Sequence, residues 1–165
     1  MEQTLYLMRH GETLFDQLGK MEGWSDSPLT KKGIRQAKRA SEYFKAVDLS
    51  AAYCSASERC CDTLRQVTSL PYMRLKGLKE QNFGLLDGGE SDSEVQDRIV
   101  TTCTELMHRS SGQTVLAVTH ANACLQFIKR WDDQLELSSI PNGAIFKYDF
   151  NKENDTFELL EQVTV

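Results

Sequence analysis

The sequence predicts one α/β domain built on strands that are covered on both faces. Residues 4–8 and 114–118 are continuous apolar runs without polar alternation, the pattern of strands buried on both sides, which are mostly parallel. Around them lie stretches with apolar residues at helical spacing, and a chain of 165 residues suffices for one layered core with at most a minor cap.

Thr4 to Met8 is the first expected strand. Thr30 then reads as a helix N-cap, with Leu29 and Ile34 spaced as a hydrophobic staple, and Ile34, Ala37, Ser41 and Phe44 mark the inner face of a helix over 31–46. A second helix begins near Ser57, where Ser55 and Glu58 have capping-box spacing and Cys61, Leu64 and Val67 form the buried stripe. Arg59 therefore stands in its first turn, near unpaired N–H groups. Pro71 interrupts the chain before a short strand, Tyr72 to Leu75, which leads to Gly77 and Glu80. Residues 82–90 are rich in Gly and Asp and read as a loop. Ser91 and Glu94 open a third helix with Val95, Ile99, Cys103 and Leu106 inward. Thr114 to Val118 is the next strand, and a fourth helix follows His120 with Cys124, Phe127, Ile128 and Trp131 at helical spacing. Pro141-Asn142-Gly143 is a turn, Ala144 to Tyr148 a strand, 151–155 a hairpin loop, and Thr156 to Val163 an edge strand or tail.

The formal charge is -5 and no stretch strings together enough Lys and Arg to follow a nucleic-acid backbone, which argues against nucleic acid or an anionic membrane as partner. The apolar run at 5–8 is too brief for a signal-peptide core, and no segment approaches the roughly 18 apolar residues of a spanning helix. Cysteines 54, 60, 61, 103 and 124 form no Cys-x-x-Cys pair and no zinc pattern with histidine. A cytoplasmic protein with free core thiols and no metal is expected. The sequence carries nothing that sets an oligomeric state.

Both apolar runs end in a polar residue and a histidine, Arg9-His10 and Thr119-His120. The carboxyl ends of parallel strands form the binding crevice of open α/β sheets, so neighbouring strands would bring both imidazoles to one pocket. Arg9 offers a planar donor fork suited to phosphate, Gly11 lets the main chain approach an anion, and Thr13 adds a hydroxyl. An imidazole attacks phosphorus through one free ring nitrogen while its other nitrogen donates to a carbonyl or similar acceptor. Arg59 and His120 are placed to stabilise the oxygens of a transferred phosphoryl group, and Glu80, before a glycine-bearing loop, is placed to protonate a leaving oxygen. Taken singly, each has a plain structural reading: a strand-end histidine held by a carbonyl, a solvated helix arginine, a surface glutamate.

Five ordered segments resemble the histidine phosphatase superfamily, in its phosphoglycerate mutase-like branch: residues 7–13 around Arg9-His10-Gly11, 23–30 with Gly33, 53–59 with Thr63, 78–84, and 118–120. The resemblance implies a three-layer α/β sandwich with a mostly parallel central sheet and a short cap near residues 81–97. It implies His10 as nucleophile, Arg9, Arg59 and His120 as the phosphate pocket with Gly11 and Ala121 beside it, Glu80 as proton donor, and no metal or organic cofactor. Thr13, Asp16, Gly23 and Gln81 complete the expected substrate pocket. Two positions depart from the family pattern. Asp16 stands where Asn is usual, which places a negative charge near a dianion unless it pairs with an arginine, turns away or moves a proton. Ala121 replaces the usual Gly.

A mutase holds its phosphorylated product with cations and excludes water, whereas residues 81–97 contain no Lys or Arg but include Asp87, Glu90, Asp92, Glu94 and Asp97. An acidic wall facing the pocket would repel a second anionic group. Gln81 follows Glu80 where mutases of the family carry arginine, and only about forty residues separate Glu80 from His120. The expected activity is hydrolysis of a phosphate monoester through a phosphohistidine, on a small phosphorylated metabolite or an exposed phosphorylated side chain. Protein phosphohistidine phosphatase, phosphoglycerate mutase-type transfer and a noncatalytic phosphate-binding scaffold are the alternatives, Asp16 favouring the last.

Overall fold

The computed structural model describes residues 2–84 and 88–165. In chain order its elements are β1 (Gln3–Arg9), α1 (Leu14–Gln17), α2 (Lys31–Phe44), β2 (Ala51–Ser55), α3 (Glu58–Val67), β3 (Tyr72–Leu75), a 3-10 turn (Lys76–Leu78), α4 (Asp92–Arg109), β4 (Thr114–Thr119), α5 (Ala121–Trp131), β5 (Ile145–Asn151) and β6 (Thr156–Val163). The described residues form a six-stranded sheet in the order β3-β2-β4-β1-β5-β6. Strands β3, β2, β4 and β1 run parallel, and β5 and β6 add an antiparallel hairpin at one edge.

The apolar run of β1 lacks alternation because both of its faces are covered. Leu5 and Leu7 face a cluster with Ile99, Cys103, Leu106, Cys124 and Phe127 from α4 and α5. Tyr6 and Met8 face a second cluster with Ala37, Ala40, Phe44, Cys61 and Leu64 from α2 and α3. The result is the expected three-layer sandwich, in which each large apolar side chain withdrawn from water contributes about 1.5–3 kcal/mol. All five cysteines are buried and free.

Four local expectations are corrected. The inner face of α2 is Gly33, Gln36, Ala37, Ala40 and Phe44, not the Ile34 and Ser41 side, because small residues let the helix lie against the main chain that follows β1. A Cβ on Gly33 would stand 2.1 Å from the Glu12 carbonyl oxygen, and one on Gly11 would stand 2.4 Å from the Gly33 oxygen. Ser55 is the last residue of β2, where its hydroxyl accepts from Ser57 N, and is not the cap; Ser57 is the N-cap of α3, without a side-chain cap bond. The four-residue α1 has no apolar period to announce it, and the Thr13/Asp16 pair that closes its capping box is its one sequence signal. The expected cap divides: the chain before residue 92 is loop where described, whereas 92–97 are the first turns of α4 in the outer layer.

Candidate active site

Because β1 and β4 are hydrogen-bonded neighbours with Arg9 opposite Thr119, the residues that follow them meet: the rings of His10 and His120 lie 5.3 Å apart. A cavity of about 200 Å³ opens there, lined by Arg9, His10, Asp16, Lys20, Met21, Glu22, Gly23, Arg59, Glu80, Phe83 and Ala121. His120 stands behind Arg59, fully buried.

The main chain sets the state of His10. Its Nδ1 lies 2.7 Å from the Gly11 carbonyl, an acceptor only, so Nδ1 carries the proton and Nε2 the lone pair. Burial, then the charges of Arg9 and Arg59, push its pKa down to about 3, so the ring is neutral at physiological pH. For His120 the guanidinium fixes the opposite tautomer. Arg59 Nη2 donates to Nδ1 at 3.0 Å, and the Nε2 proton goes to Ser55 Oγ at 2.8 Å. Burial, then Arg59, holds this imidazole well below its ordinary value too.

Arg59 sits in the first turn of α3, as the sequence indicates, but it points inward and only 1% of its side chain is exposed. Its Nε donates to His10 Nε2 at 3.4 Å. Nη1 donates to the Ser25 carbonyl at 2.6 Å and to Asp26 Oδ1 at 2.8 Å, and Nη2 donates to the Gly23 carbonyl at 2.8 Å. Glu22 Oε2 lies 3.1 Å from Nε. Arg9 donates from Nη1 to the Ile140 carbonyl at 2.6 Å and from Nη2 to Asp16 Oδ1 at 3.2 Å. Its Nε is buried without a partner among the described residues, an unmade hydrogen bond that costs about 1–3 kcal/mol.

Glu80 lines the cavity from beyond β3. Its carboxylate accepts from three main-chain N–H groups, Gln81, Asn122 and Ala123, each at 3.0 Å, and so covers the amino end of α5. Arg98 on α4 holds this segment in place, donating to the carbonyls of Gly77, Lys79 and Glu80 while pairing with Glu90. Trp24 Nε1 donates to the Glu80 carbonyl at 2.8 Å.

The remaining predicted pocket residues divide. Asp16 and Gly23 line the cavity; Ala121 does as well. Asp16 pairs with Arg9 and accepts from Thr13 N and Asn142 Nδ2, each at 3.0 Å. Burial pushes its pKa up, but these donors and Arg9 outweigh it and the net shift is down. Gly23 has φ +52°, and a Cβ there would meet the Phe83 ring at 2.7 Å. Gly11, Thr13 and Gln81 do not line the cavity. The Gly11 N–H is taken by Thr63 Oγ1, Thr13 caps α1, and Gln81 ties Asn122 to the Glu90 carbonyl. The described residues of the acidic wall are not at the pocket either. Glu90 is held by Arg98, and Asp92, Glu94 and Asp97 are exposed away from the lining; Asp87 lies outside the described residues. Among the described residues the carboxylates at the cavity are instead Asp16, Glu22 and Glu80.

Glu22, Ser55 and Arg98 are the residues that sequence reasoning misses. Glu22 precedes the recognised Gly23-Trp24 stretch, Ser55 reads more simply as a cap, and Arg98 is the first cation after an acid-rich stretch. His10, Asp16 and Glu22 bring donor atoms within 4.8 Å of one another. Asp16 is already paired with Arg9 and Glu22 with Arg59, so the chemistry of the set is that of an anion site partly neutralised by its own carboxylates.

A family model described as the histidine phosphatase superfamily (branch 1) matches residues 5–88 and 85–162. The chain is 34% identical over 92 residues to a 2,3-bisphosphoglycerate-dependent phosphoglycerate mutase of Porphyromonas gingivalis, a match covering 51% of this chain and 37% of that protein. It therefore spans well under half of that relative. It is 25% identical over 170 residues to a Bacillus subtilis protein called uncharacterized phosphatase PhoE, covering 89% and 88% of the two chains. Among solved structures, Bacillus stearothermophilus YhfR superposes with a TM-score of 0.87 at 26% identity over 95% of both chains. A phosphoglycerate mutase from Bacillus anthracis superposes at 0.89 with 22% identity over 98% of this chain and 92% of that one, a likeness of fold.

Proposed function

The chain belongs to branch 1 of the histidine phosphatase superfamily, and from that premise we propose that it hydrolyses phosphate monoesters through a phosphohistidine on His10. The observation that carries this reading is the His10 tautomer: with Nδ1 bound to the Gly11 carbonyl, a neutral ring offers Nε2 at the floor of a cavity lined by Arg9 and Arg59. Nε2 attacks phosphorus, the P–O ester bond breaks, and the leaving oxygen takes a proton from Glu80, which enters the step protonated from solvent on Oε2, the oxygen with a single main-chain donor. Water then attacks the phosphohistidine, the P–N bond breaks, Glu80 accepts the proton of the water, and phosphate departs. Arg9 Nε, buried and unpartnered, supplies an N–H for one phosphate oxygen, and Arg59 supports the charge on the others.

The substrate is a small phosphorylated metabolite or an exposed phosphorylated side chain, met in the cytoplasm. Among the described residues no helix is long and apolar enough to cross a membrane. Mutase-type transfer is the second reading, favoured by the Porphyromonas gingivalis relative. Against it, the cations lining the cavity are Arg9, Lys20 and Arg59, faced by three carboxylates, which leaves little charge to retain a product with a second anionic group.

The test is turnover of p-nitrophenyl phosphate by the unaltered chain and by His10→Ala, with acid quench to trap labelled phosphoryl on the ring. Turnover that disappears in the variant and an acid-labile, base-stable label on His10 are expected. Equal rates, or label on serine or cysteine, would refute the nucleophile. Retention of the phosphoryl group on a phosphoglycerate isomer instead of its release would decide for the mutase.

A further inference from the structure

Arg59 has five N–H groups, and in this structure the protein itself occupies all of them: His10 Nε2, His120 Nδ1, Asp26 and the carbonyls of Gly23 and Ser25. None is left for a ligand. Glu22, whose side chain is 5% exposed, completes the arrangement at 3.1 Å from Arg59 Nε. It also brings an oxygen within 4.8 Å of a ring nitrogen of His10. A phosphorus atom in line for attack stands about 3–3.5 Å from the nucleophile, so its oxygens need the space that this carboxylate takes.

We propose that Glu22 is an internal counter-charge to Arg59 standing where phosphate oxygens must lie, and that a dianion enters by displacing or neutralising this carboxylate. The inference rests on the proposed phosphate site and adds a residue that sets the affinity of that site. The segment carrying Glu22 is built to move. It is bracketed by Gly19 and Gly23, at φ +67° and +52°, while Lys20 and Met21 are exposed; a rotation of 20–22 gives up the bonds from Lys20 N to the Phe15 carbonyl and from Ser25 N to the Glu22 carbonyl. The Ser27 hydroxyl donates to Glu22 Oε1 and holds the resting position. When a dianion arrives, Glu22 either swings out or takes a proton from solvent and stays as a neutral acid.

Burial favours proton uptake, against the nearby charge of Arg59. Around the cavity with Glu22 are Arg59 from α3, Lys20 and Glu80, Arg9 at the end of β1, His10 after it and Asp16 from α1, with Asp26 of its own loop on the far side of Arg59. Burial raises the Glu22 pKa above its ordinary 4.5, against the pull of the Ser27 hydroxyl and Arg59. Asp16 and both imidazoles are shifted downward. A bound dianion raises Glu22 further.

Sulfate binding, followed by calorimetry in two buffers of different ionisation enthalpy, tests this without requiring turnover, because the charge of sulfate is constant across the range. Glu22→Gln is expected to bind sulfate roughly tenfold more tightly at about pH 7.5, the worth of one contested charge pair. In the unaltered chain affinity should rise from about pH 8 to about pH 5 with proton uptake, and Glu22→Gln should lose both effects. Ser27→Ala, which frees the carboxylate without removing it, should tighten binding by a smaller factor and decides the matter if Glu22→Gln fails to fold. Equal or weaker binding by both variants, a pH-independent affinity in the unaltered chain, or no sulfate binding by any of them would overturn the proposal. The expected pattern in a protein that turns over no phosphate ester would uphold it while refuting the hydrolase reading.

Discussion

Replacing Arg59 by methionine keeps most of the buried stem and deletes the charge, which isolates what the guanidinium does for the fold. Asp26 is 32% exposed and turns to water when its partner goes; Glu22, at 5% and held by the Ser27 hydroxyl, reaches water only if residues 20–22 move. The stability loss is therefore mainly that of a stranded buried carboxylate, about 3–5 kcal/mol near pH 7.5. Without Arg59 the folded pKa of Glu22, already raised by burial, rises further above its unfolded value. The folded chain then binds more protons than the unfolded one, and stability falls as pH rises through that interval. Arg59→Met should accordingly lose less at about pH 5.5 than at about pH 7.5. Adding Glu22→Gln, which needs no counter-ion, should restore about 1–3 kcal/mol. Urea unfolding of the four proteins of this cycle measures each quantity by linear extrapolation. A loss under about 1 kcal/mol for Arg59→Met, or no recovery in the double variant, would refute the view that the pair is buried and mutually dependent.

Two further outcomes are expected. Because burial, Arg9 and Arg59 push His10 down to about 3, its ring carbon and nitrogen resonances should stay those of the neutral Nδ1–H tautomer down to about pH 5; a titration near the ordinary 6.5 would show that the pocket is wetter or less cationic than described. Gly33→Ala puts a Cβ 2.1 Å from the Glu12 carbonyl oxygen, and since the obstacle is main chain, α2 must lift from the segment after His10. A loss of about 1–3 kcal/mol with a lowered rate should follow, read by thermal unfolding and turnover; an unchanged melting temperature would mean that this contact is slack.

Much of the site was legible because its signals are local. A strand buried on both faces leaves an unalternating apolar run, and the residues after it fall at the sheet's carboxyl edge by geometry alone, which is how His10, Arg9 and His120 are found. Arg59 is found through its helix start. Gly11 was legible as a glycine but for the wrong reason: it lacks a Cβ because Gly33 crosses it, a contact between residues that no local pattern links.

The sequence by itself determined the layers, the helix starts at Thr30 and Ser91, and the pair of histidines at adjacent strand ends, since these follow from periodicity and capping within a few residues. The tertiary structure alone decided which groups answer the buried charges. Asp16 meets Arg9 and Asn142, and Glu22 and Asp26 meet Arg59, because a guanidinium enclosed by the fold must find acceptors in whatever chain lies nearest. That chain is a loop without apolar period, shaped by the charge it surrounds.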